Sequence, residues 1–473
     1  MKLFTVKLTT LKSKLYAIVF ASFVVRVVAF FVLPNTASNL APDEGTYATL
    51  TEWISAGKEA DTFYSDTLYL RSRSFVIPAS LLYKVGISSI DSVRIVASIY
   101  GLLTFTLIAF VLLRIIDSSQ ETAYFLFKNQ KSVLILFTVF GLLPSHFIWS
   151  VLGLREAVME FWVLVVFFLV FYIFGVKKSP SILAFLGILI AIPLVFSSRP
   201  QVGWVLGVTL LIYFLLRVRT KAAQLLLPLT IVGIVSGYVL TTEFSIETTE
   251  TYRVEAELNN SALLTSQAEM QASMLCKFEG QELRIGEGKF TCSKEARERE
   301  IVGLKNPGVA LFNEATEIPD RQLGNTRGAE SKIKILSCPN AGTSQFDKLF
   351  CISYRAPYTS YTFLFRPILG GDVTSSSSLF AAIENVFWLA AALFIGVMFI
   401  RNRRLAFFGA LAPSLLFFTI FTIGAGAYEG NMGTAFRHKS LILWAVLLLL
   451  ASTIVATQQR KAEQQGISGS SQE

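Results

Sequence analysis

Two adjacent carboxylates, Asp43 and Glu44, lie just past the end of the first long apolar stretch of this 473-residue chain. Tyr47 follows them, and the amphipathic run 50–54 comes next. A carboxylate can accept a proton from an incoming hydroxyl group, and an amphipathic run at this position is expected to lie along the membrane surface. The pattern predicts a site at that surface, with Asp43 and Glu44 as catalytic residues and Tyr47 in contact with substrate.

Basic side chains also occur at the ends of several apolar stretches, on the side of the membrane that carries Asp43. They are Arg94, Arg155, Arg199, Arg437 and His438. Arginine is less expected on the outer side than in cytoplasmic segments. A guanidinium group can bind phosphate through two parallel hydrogen bonds, and it neutralises the negative charge of a leaving group. These residues are therefore predicted to bind a phosphorylated lipid substrate.

Each of these positions also has a structural interpretation. Arg155-Glu156 can cap a helix, and Arg199-Pro200 can form an ordinary turn. The run 437–439 can anchor the last helix at the lipid headgroups. A lone histidine at a helix end, such as His146, is usually structural, and Glu384-Asn385 can serve helix packing alone. The residue types do not decide between the two interpretations.

The composition is that of a multi-pass helical membrane protein. Hydrophobic residues make up 53% of the chain and charged residues 16%, the mean hydropathy is +0.56, and 40 residues are phenylalanine. The formal charge of +9 and the pI near 9.3 are compatible with nucleic-acid binding. However, many of the basic residues lie in short segments between apolar stretches, where they orient a membrane protein. Nucleic acid is therefore not an expected partner.

The apolar windows predict an all-α polytopic membrane protein with about ten transmembrane helices. The predicted spans are 15–34, 92–115, 132–150, 157–175, 181–197, 202–217, 222–241, 379–400, 405–424 and 439–457. Lysine and arginine cluster at every second junction, which predicts that both termini are cytoplasmic. The segment 75–87 is short and is predicted to be a juxtamembrane or re-entrant helix. A secretory signal peptide is the alternative for 15–34, but that stretch is long for one and many spans follow.

The composition changes abruptly near residue 243, where Glu, Ser, Thr, Lys and Gly replace apolar residues until about residue 375. The chain is therefore predicted to have four parts: a membrane module at 1–242, an extracytoplasmic domain at 243–375, a second membrane module at 376–457 and a disordered cytoplasmic tail at 458–473. Within the outer domain, 247–274 is predicted to be helical, whereas 332–337 and 350–354 are predicted strands. The domain is accordingly expected to be small and α+β.

All four cysteines lie in this outer segment, at Cys276, Cys292, Cys338 and Cys351. An oxidising compartment favours two disulfides, with three possible pairings. A zinc site is the alternative, but the spacing has no Cys-x-x-Cys pair and the segment has no histidine. No residues elsewhere have clear metal-ligand spacing. No metal and no other cofactor are expected; a divalent cation is compatible with the chain, but no spacing indicates one.

The order of these features resembles the GT-C superfamily of polytopic membrane glycosyltransferases, especially relatives of the protein O-mannosyltransferases (glycosyltransferase family 39) and the lipid A aminoarabinose transferases. In that family an outer loop after the first span carries Asp-Glu before an aromatic residue, as Asp43-Glu44-Gly45-Thr46-Tyr47 does here. The segment 73–78 resembles the family's juxtamembrane helix, although Pro78 stands where the family usually has two prolines. Ser92-Val93-Arg94 resembles the start of the next span, and 430–438 resembles motifs of bacterial surface-polysaccharide membrane proteins.

The resemblance implies transfer of a sugar from a polyprenyl-phosphate-linked donor to a glycan, lipid or protein acceptor on the outer side, usually with inversion. It implies that Asp43 is the general base that activates the acceptor hydroxyl, and that Glu44 assists or positions it. The arginines would hold the lipid phosphate, an assignment that depends on topology and charge. The expected location is a bacterial inner membrane, with membrane lipids as further partners.

Three other functions remain open from the sequence. A polysaccharide polymerase or ligase would use the same outer face and arginines but would need no early acidic motif. A lipid or glycan transporter is expected to carry charged residues near the middle of several spans, where Arg26 is nearly alone in this chain. A non-enzymatic scaffold would explain the cysteines but not the polar groups gathered at one face.

Overall fold

The computed structural model describes residues 2–34, 43–57, 72–118, 130–176, 182–241, 251–256, 282–285, 288–295, 345–373, 376–401, 412–429, 432–448 and 450. The helices before residue 242 are α1 (Lys2–Val32), α2 (Asp43–Ser55), α3 (Arg73–Lys84), α4 (Ser89–Ser118), α5 (Gln130–Leu142), α6 (Pro144–Val151), α7 (Glu156–Phe171), α8 (Ile182–Phe196), α9 (Pro200–Leu216) and α10 (Lys221–Thr241). The later helices are α11 (Gln345–Phe365), α12 (Ser376–Arg401), α13 (Ala412–Tyr428), α14 (Met432–His438) and α15 (440–448). Helices satisfy their own backbone hydrogen bonds, which lipid requires.

Five described segments are long and apolar enough to cross a membrane: Leu11–Val32, Ser89–Leu113, Glu156–Phe174, Lys221–Val239 and Ser378–Val397. Helices α5 and α6 make a sixth if taken as one broken span, with a bend of 44° between them. Helices α8, α9 and α13 are apolar but shorter. The chain is thus a multi-pass membrane protein, but the predicted total of about ten spans is not confirmed.

The bend between α5 and α6 has a local cause. Pro144 is the first residue of α6, and it has no amide hydrogen to continue the helix. A residue before proline is driven out of the helical conformation, and Leu143 accordingly has φ −59° and ψ 133°. The predicted span 132–150 is therefore two helices, and its second half is redirected.

The short predicted helix near the membrane surface is present as α3, of 12 residues. Its neighbours are α2 and α4. A compact apolar cluster joins these three helices to α6 and α14; its buried members include Tyr47, Phe75, Val93, Trp149 and Phe436. A larger core lies among α1, α4, α5 and α7 to α15. The smaller cluster is the one that positions the candidate site.

Three strands are described in the segment predicted as an outer domain. Strands β1 (Thr251–Ala256), β2 (Glu282–Ile285) and β3 (Gly288–Glu295) form an antiparallel sheet of order β1-β3-β2. The prediction of helix across 247–274 is therefore wrong at β1, where Tyr252 and Val254 favour a strand. The residues 332–337 lie outside the described part of the chain.

The strand predicted at 350–354 is also wrong, because these residues belong to helix α11. Buried Cys351, Thr359 and Phe363 recur at helical spacing, and α11 packs against α13. A Cβ at Gly426 of α13 would lie 2.9 Å from the backbone of Thr359. Contact with another helix, which the local sequence does not reveal, decides the conformation here.

Cys351 is disulfide-bonded in the structure. The side chains of Cys276, Cys292 and Cys338 lie outside the described residues, so the pairing stays a prediction. A cysteine in a disulfide has no thiolate to offer a zinc ion.

Candidate active site

The start of α2 is held by a buried ion pair between Glu44 and Arg94. Arg94 donates through Nε and Nη2 to the two Glu44 carboxylate oxygens at 2.7 and 3.0 Å, and neither side chain is exposed. Arg94 Nη1 donates to the Pro34 carbonyl at 2.7 Å, and the Gly153 amide donates to Glu44 Oε1 at 2.9 Å. These bonds connect α1, α2, α4 and the α6–α7 turn. They favour a positioning role for Glu44 and Arg94 over contact with substrate.

Asp43 is the accessible carboxylate of the pair, with its side chain 51% exposed. Arg437 of α14 donates to Asp43 Oδ2 at 2.6 Å. Although burial lowers the pKa of Arg437, attraction to Glu156 and Asp43 outweighs it, and the net direction is upward. Arg437 is therefore a permanent cation that bridges two segments 394 residues apart.

Tyr47 lies one helical turn after Asp43 and is buried beneath Arg155. The Arg155 guanidinium carbon is 5.9 Å from the centre of the Tyr47 ring, a cation–π distance, and Arg155 Nη1 donates to Ser72 Oγ at 3.3 Å. The ring also meets Phe75 edge-on, with centroids 5.3 Å apart. Burial raises the pKa of Tyr47 to about 12. Its hydroxyl is therefore protonated at neutral pH and can donate a hydrogen bond.

Arg199 occupies the junction between α8 and α9. Pro200 begins α9, which favours an extended residue before it, and Arg199 has φ −164° and ψ 107°. Its Nη1 contacts His438 Nε2, and its Nη2 lies 4.0 Å from Glu429 Oε1. Burial lowers the pKa of Arg199, and repulsion from Arg155 lowers it further. The turn at Arg199-Pro200 that was predicted as the structural alternative is therefore present. The same turn places the Arg199 guanidinium group in the candidate site.

Glu156 is the first residue of α7 and is only 4% exposed. Its Oε2 has no hydrogen-bond partner among the described residues. The carboxylate acts electrostatically on four neighbours: Tyr47, Arg199, Arg437 and His438. The sequence indicated Glu156 only as part of a capping pair. Glu156 follows Arg155 at a helix end predicted to lie outside, and this position could have indicated that Glu156 belongs to the candidate site.

These side chains form one group, named here the arginine cluster: Asp43, Arg155, Glu156, Arg199 and Arg437. Three guanidinium groups gathered beside an exposed carboxylate are suited to bind phosphate and to stabilise charge on a departing phosphate. The carboxylate is suited to accept a proton. The structure brings Asp43, Tyr47, Arg155, Arg199, Arg437 and His438 together, and it places Glu44 and Arg94 in the supporting ion pair.

A second polar group lies between α1, α6 and α7. Arg26 Nη2 lies 3.2 Å from His146 Nε2, and His146 Nδ1 lies 3.1 Å from Glu160 Oε2. All three residues are buried, and Arg26 Nε also donates to Ser150 Oγ at 3.2 Å. No partner for Arg26 was predicted from the sequence, and Glu160 was not singled out. The one feature that could have indicated Glu160 is that it is a carboxylate within an apolar span. The expectation that Arg26 is nearly alone in the spans is corrected accordingly.

A third polar group holds the start of α15. Lys439 Nζ donates to the Arg366 carbonyl at 3.3 Å and contacts Asn385 Oδ1. The adjacent Glu384 accepts a hydrogen bond from the Ser145 amide at 2.7 Å. The pair Glu384-Asn385 thus joins α12 to α6 and to the residue before α15, which agrees with its packing interpretation.

Within the described residues, no three or more histidine, cysteine, aspartate or glutamate side chains are grouped to hold a metal ion. The expectation that the protein uses no metal stays a prediction.

No protein-family model matches the chain, and no curated protein matches it. Among solved structures, the chain is similar to the crystal structure of ArnT from Cupriavidus metallidurans in the apo state. The two are 14% identical, the match covers 94% of this chain and 78% of that one, and the TM-score is 0.35.

Proposed function

We propose that the chain is a membrane glycosyltransferase that moves a sugar from a polyprenyl-phosphate-linked donor to a glycan, lipid or protein acceptor. The observation that carries the proposal is the half-exposed Asp43 carboxylate bound to Arg437, at 2.6 Å, beside two further guanidinium groups. Glycosyl transfer from a lipid phosphate needs a proton acceptor and cationic groups for the leaving phosphate. The arginine cluster offers both.

The reaction follows from these roles. Arg155, Arg199 and Arg437 hold the donor phosphate at the membrane surface. Asp43 accepts the proton of the acceptor hydroxyl while the hydroxyl oxygen bonds to the anomeric carbon. The bond from that carbon to the phosphate oxygen breaks, and its electron pair leaves with the lipid phosphate. The guanidinium groups stabilise the added negative charge.

The ion pair between Asp43 and Arg437 connects binding with proton transfer. A donor phosphate competes with Asp43 for the Arg437 guanidinium, because both are anions that accept its hydrogen bonds. Once Arg437 turns to the phosphate, the Asp43 carboxylate is released to accept a proton. Glu44 stays in its buried pair with Arg94 and keeps α2 in position throughout.

The test is a strain that lacks this protein and receives either the wild-type chain or Asp43→Asn at equal membrane abundance. Surface glycans are compared by mass spectrometry. We expect the wild type to restore a glycan that Asp43→Asn does not. Asp91→Asn is the matched control, since Asp91 is another aspartate in the first turn of a helix and hydrogen-bonds Ser88, away from the arginine cluster's ion pairs. Full restoration by Asp43→Asn would contradict the role of Asp43 as the base.

A polysaccharide polymerase or ligase that acts on a diphosphate-linked glycan is the second candidate. The observation that favours it is the density of guanidinium groups, which suits a more highly charged lipid phosphate. If Asp43→Asn restores the glycan while Arg199→Gln and Arg437→Gln do not, this second function is preferred. A glycan profile unchanged by deletion of the protein would contradict both candidates and favour a transporter or scaffold.

A further inference from the structure

The chain has only two histidines, and both lie between a glutamate and an arginine. Around His438, Nδ1 lies 2.6 Å from Glu429 Oε1, and Nε2 contacts Arg199 Nη1. Around His146, Nδ1 faces Glu160 and Nε2 faces Arg26. The two groups belong to different helices, and each histidine is at most 3% exposed. The same orientation of the ring therefore occurs twice, independently.

Hydrogen-bond chemistry assigns the proton in both rings. A guanidinium group only donates, so a ring nitrogen that bonds to it must accept. An ionised carboxylate only accepts, so the other ring nitrogen must carry hydrogen. Each ring can therefore satisfy both neighbours in only one form, which is neutral, with the proton on Nδ1.

We propose that His146 and His438 are neutral bridges with the proton on Nδ1, and that His438 in this form is a positioning residue that orients Arg199 in the arginine cluster. Glu429 fixes the tautomer of His438, and Nε2 then accepts one N–H of Arg199. The remaining N–H groups of Arg199 are left to bind a phosphate. The functional half of this proposal rests on the proposed function, whereas the tautomer half does not.

The charges that face His438 are consistent with a neutral ring. They come from Arg199 at the α8–α9 junction, Glu429 before α14 and Glu156 at the start of α7. Burial lowers the pKa of His438, and repulsion from Arg199 lowers it further, against the opposite effect of Glu429. Protonation would turn Nε2 into a donor, and the bond to Arg199 would be lost.

The tautomer can be measured directly on the wild-type protein. Labelling with ¹⁵N-histidine gives signals from only two rings, which are assigned by the loss of one in His146→Gln and of the other in His438→Gln. We expect both rings at pH 7 to have a protonated Nδ1 and a bare Nε2. A ring at 438 with the proton on Nε2, or with protons on both nitrogens, would overturn the proposal.

The positioning role is tested by binding of farnesyl phosphate to the full-length protein in detergent, with farnesol as the uncharged reference. His438→Phe keeps the size of the ring but cannot bridge, so we expect affinity to fall about tenfold. His438→Gln has an amide that can donate to Glu429 and accept from Arg199, so affinity should stay within about threefold. His146→Gln is the matched control and should bind like the wild type.

The outcomes separate the two proposals. Equal affinities of His438→Phe and the wild type, or equal losses in His438→Phe and His438→Gln, would overturn the positioning role. If the wild type binds farnesyl phosphate no better than farnesol, the phosphate site of the proposed function fails, and the positioning role fails with it. The tautomer result would still stand in that case. The tautomer is measured on the wild-type protein, so that result does not depend on whether His438→Phe folds.

Discussion

Glu44 and Asp43 are neighbours in sequence with opposite environments, and this difference leads to a prediction about stability. Glu44 is buried against Arg94, so removing one partner leaves the other as an uncompensated buried charge. We expect Glu44→Gln to destabilise the protein by about 3–5 kcal/mol. Replacing both, as in Glu44→Gln with Arg94→Met, should recover part of that loss. The measurement is a double-mutant cycle from unfolding in denaturant, and additive effects would contradict the buried pair.

The environment of His438 predicts how stability depends on pH. Its folded pKa lies below the ordinary value of 6.5, so the unfolded chain takes up a proton first as the pH falls. The stability that the neutral ring contributes is therefore complete above about pH 6.5 and is lost as the pH falls below it. His438→Gln has no ring that titrates, so this pH-dependent part of the stability is absent from the variant.

The measurement is the midpoint of thermal unfolding of both proteins at pH 7.5, 6.5 and 5.5. We expect the advantage of the wild type over His438→Gln to shrink as the pH falls. An advantage that is constant or grows toward pH 5.5 would show that the ring is not held neutral.

At the scale of elements, the position of α11 depends on a close approach to α13. A Cβ at Gly426 would lie 2.9 Å from the Ser360 amide nitrogen and from the Thr359 carbonyl, and backbone atoms cannot move aside as a flexible side chain can. We therefore expect Gly426→Ala to destabilise the protein by about 1–3 kcal/mol.

Gly396 of α12 is the matched control, since a Cβ there would meet nothing within 4 Å. Alanine favours helix over glycine, so Gly396→Ala should be neutral or slightly stabilising. Both variants are compared by thermal unfolding in the same detergent. Equal midpoints for Gly426→Ala and the wild type would contradict the close packing of α11 on α13.

Secondary structure was predictable where a long apolar run decides it alone, as in α1, α4 and α10. It was not predictable where packing decides it. Residues 350–354 have alternating apolar character typical of a strand, but they are helical because α11 lies against α13. Pro144, by contrast, was visible in the sequence, and the break between α5 and α6 follows from it locally; only the angle of 44° had to come from the structure.

At the scale of the whole molecule, the orientation in the membrane is a prediction that labelling can check. The exposed valines Val85 and Val218 lie in the α3–α4 and α9–α10 connections, at 75% and 43% exposure. The distribution of basic residues predicts that the first faces outward and the second faces the cytoplasm.

Val85→Cys and Val218→Cys are therefore a matched pair for a membrane-impermeant maleimide. We expect intact cells to be labelled at position 85 and not at 218, and permeabilised cells to be labelled at both. Labelling of 218 but not 85 in intact cells would invert the predicted topology and place the arginine cluster in the cytoplasm.

The sequence by itself determined the membrane class, the location of the long helices and the grouping of polar residues at helix ends, because hydropathy and charge act locally along the chain. Only the tertiary structure decided which of these residues meet. Glu44 reaches Arg94 and Gly153 across separations of 50 and 109 residues, and Asp43 reaches Arg437 across 394. Burial and ion pairing depend on such contacts between helices, and these decide that Glu44 is buried in an ion pair while Asp43 stays half-exposed.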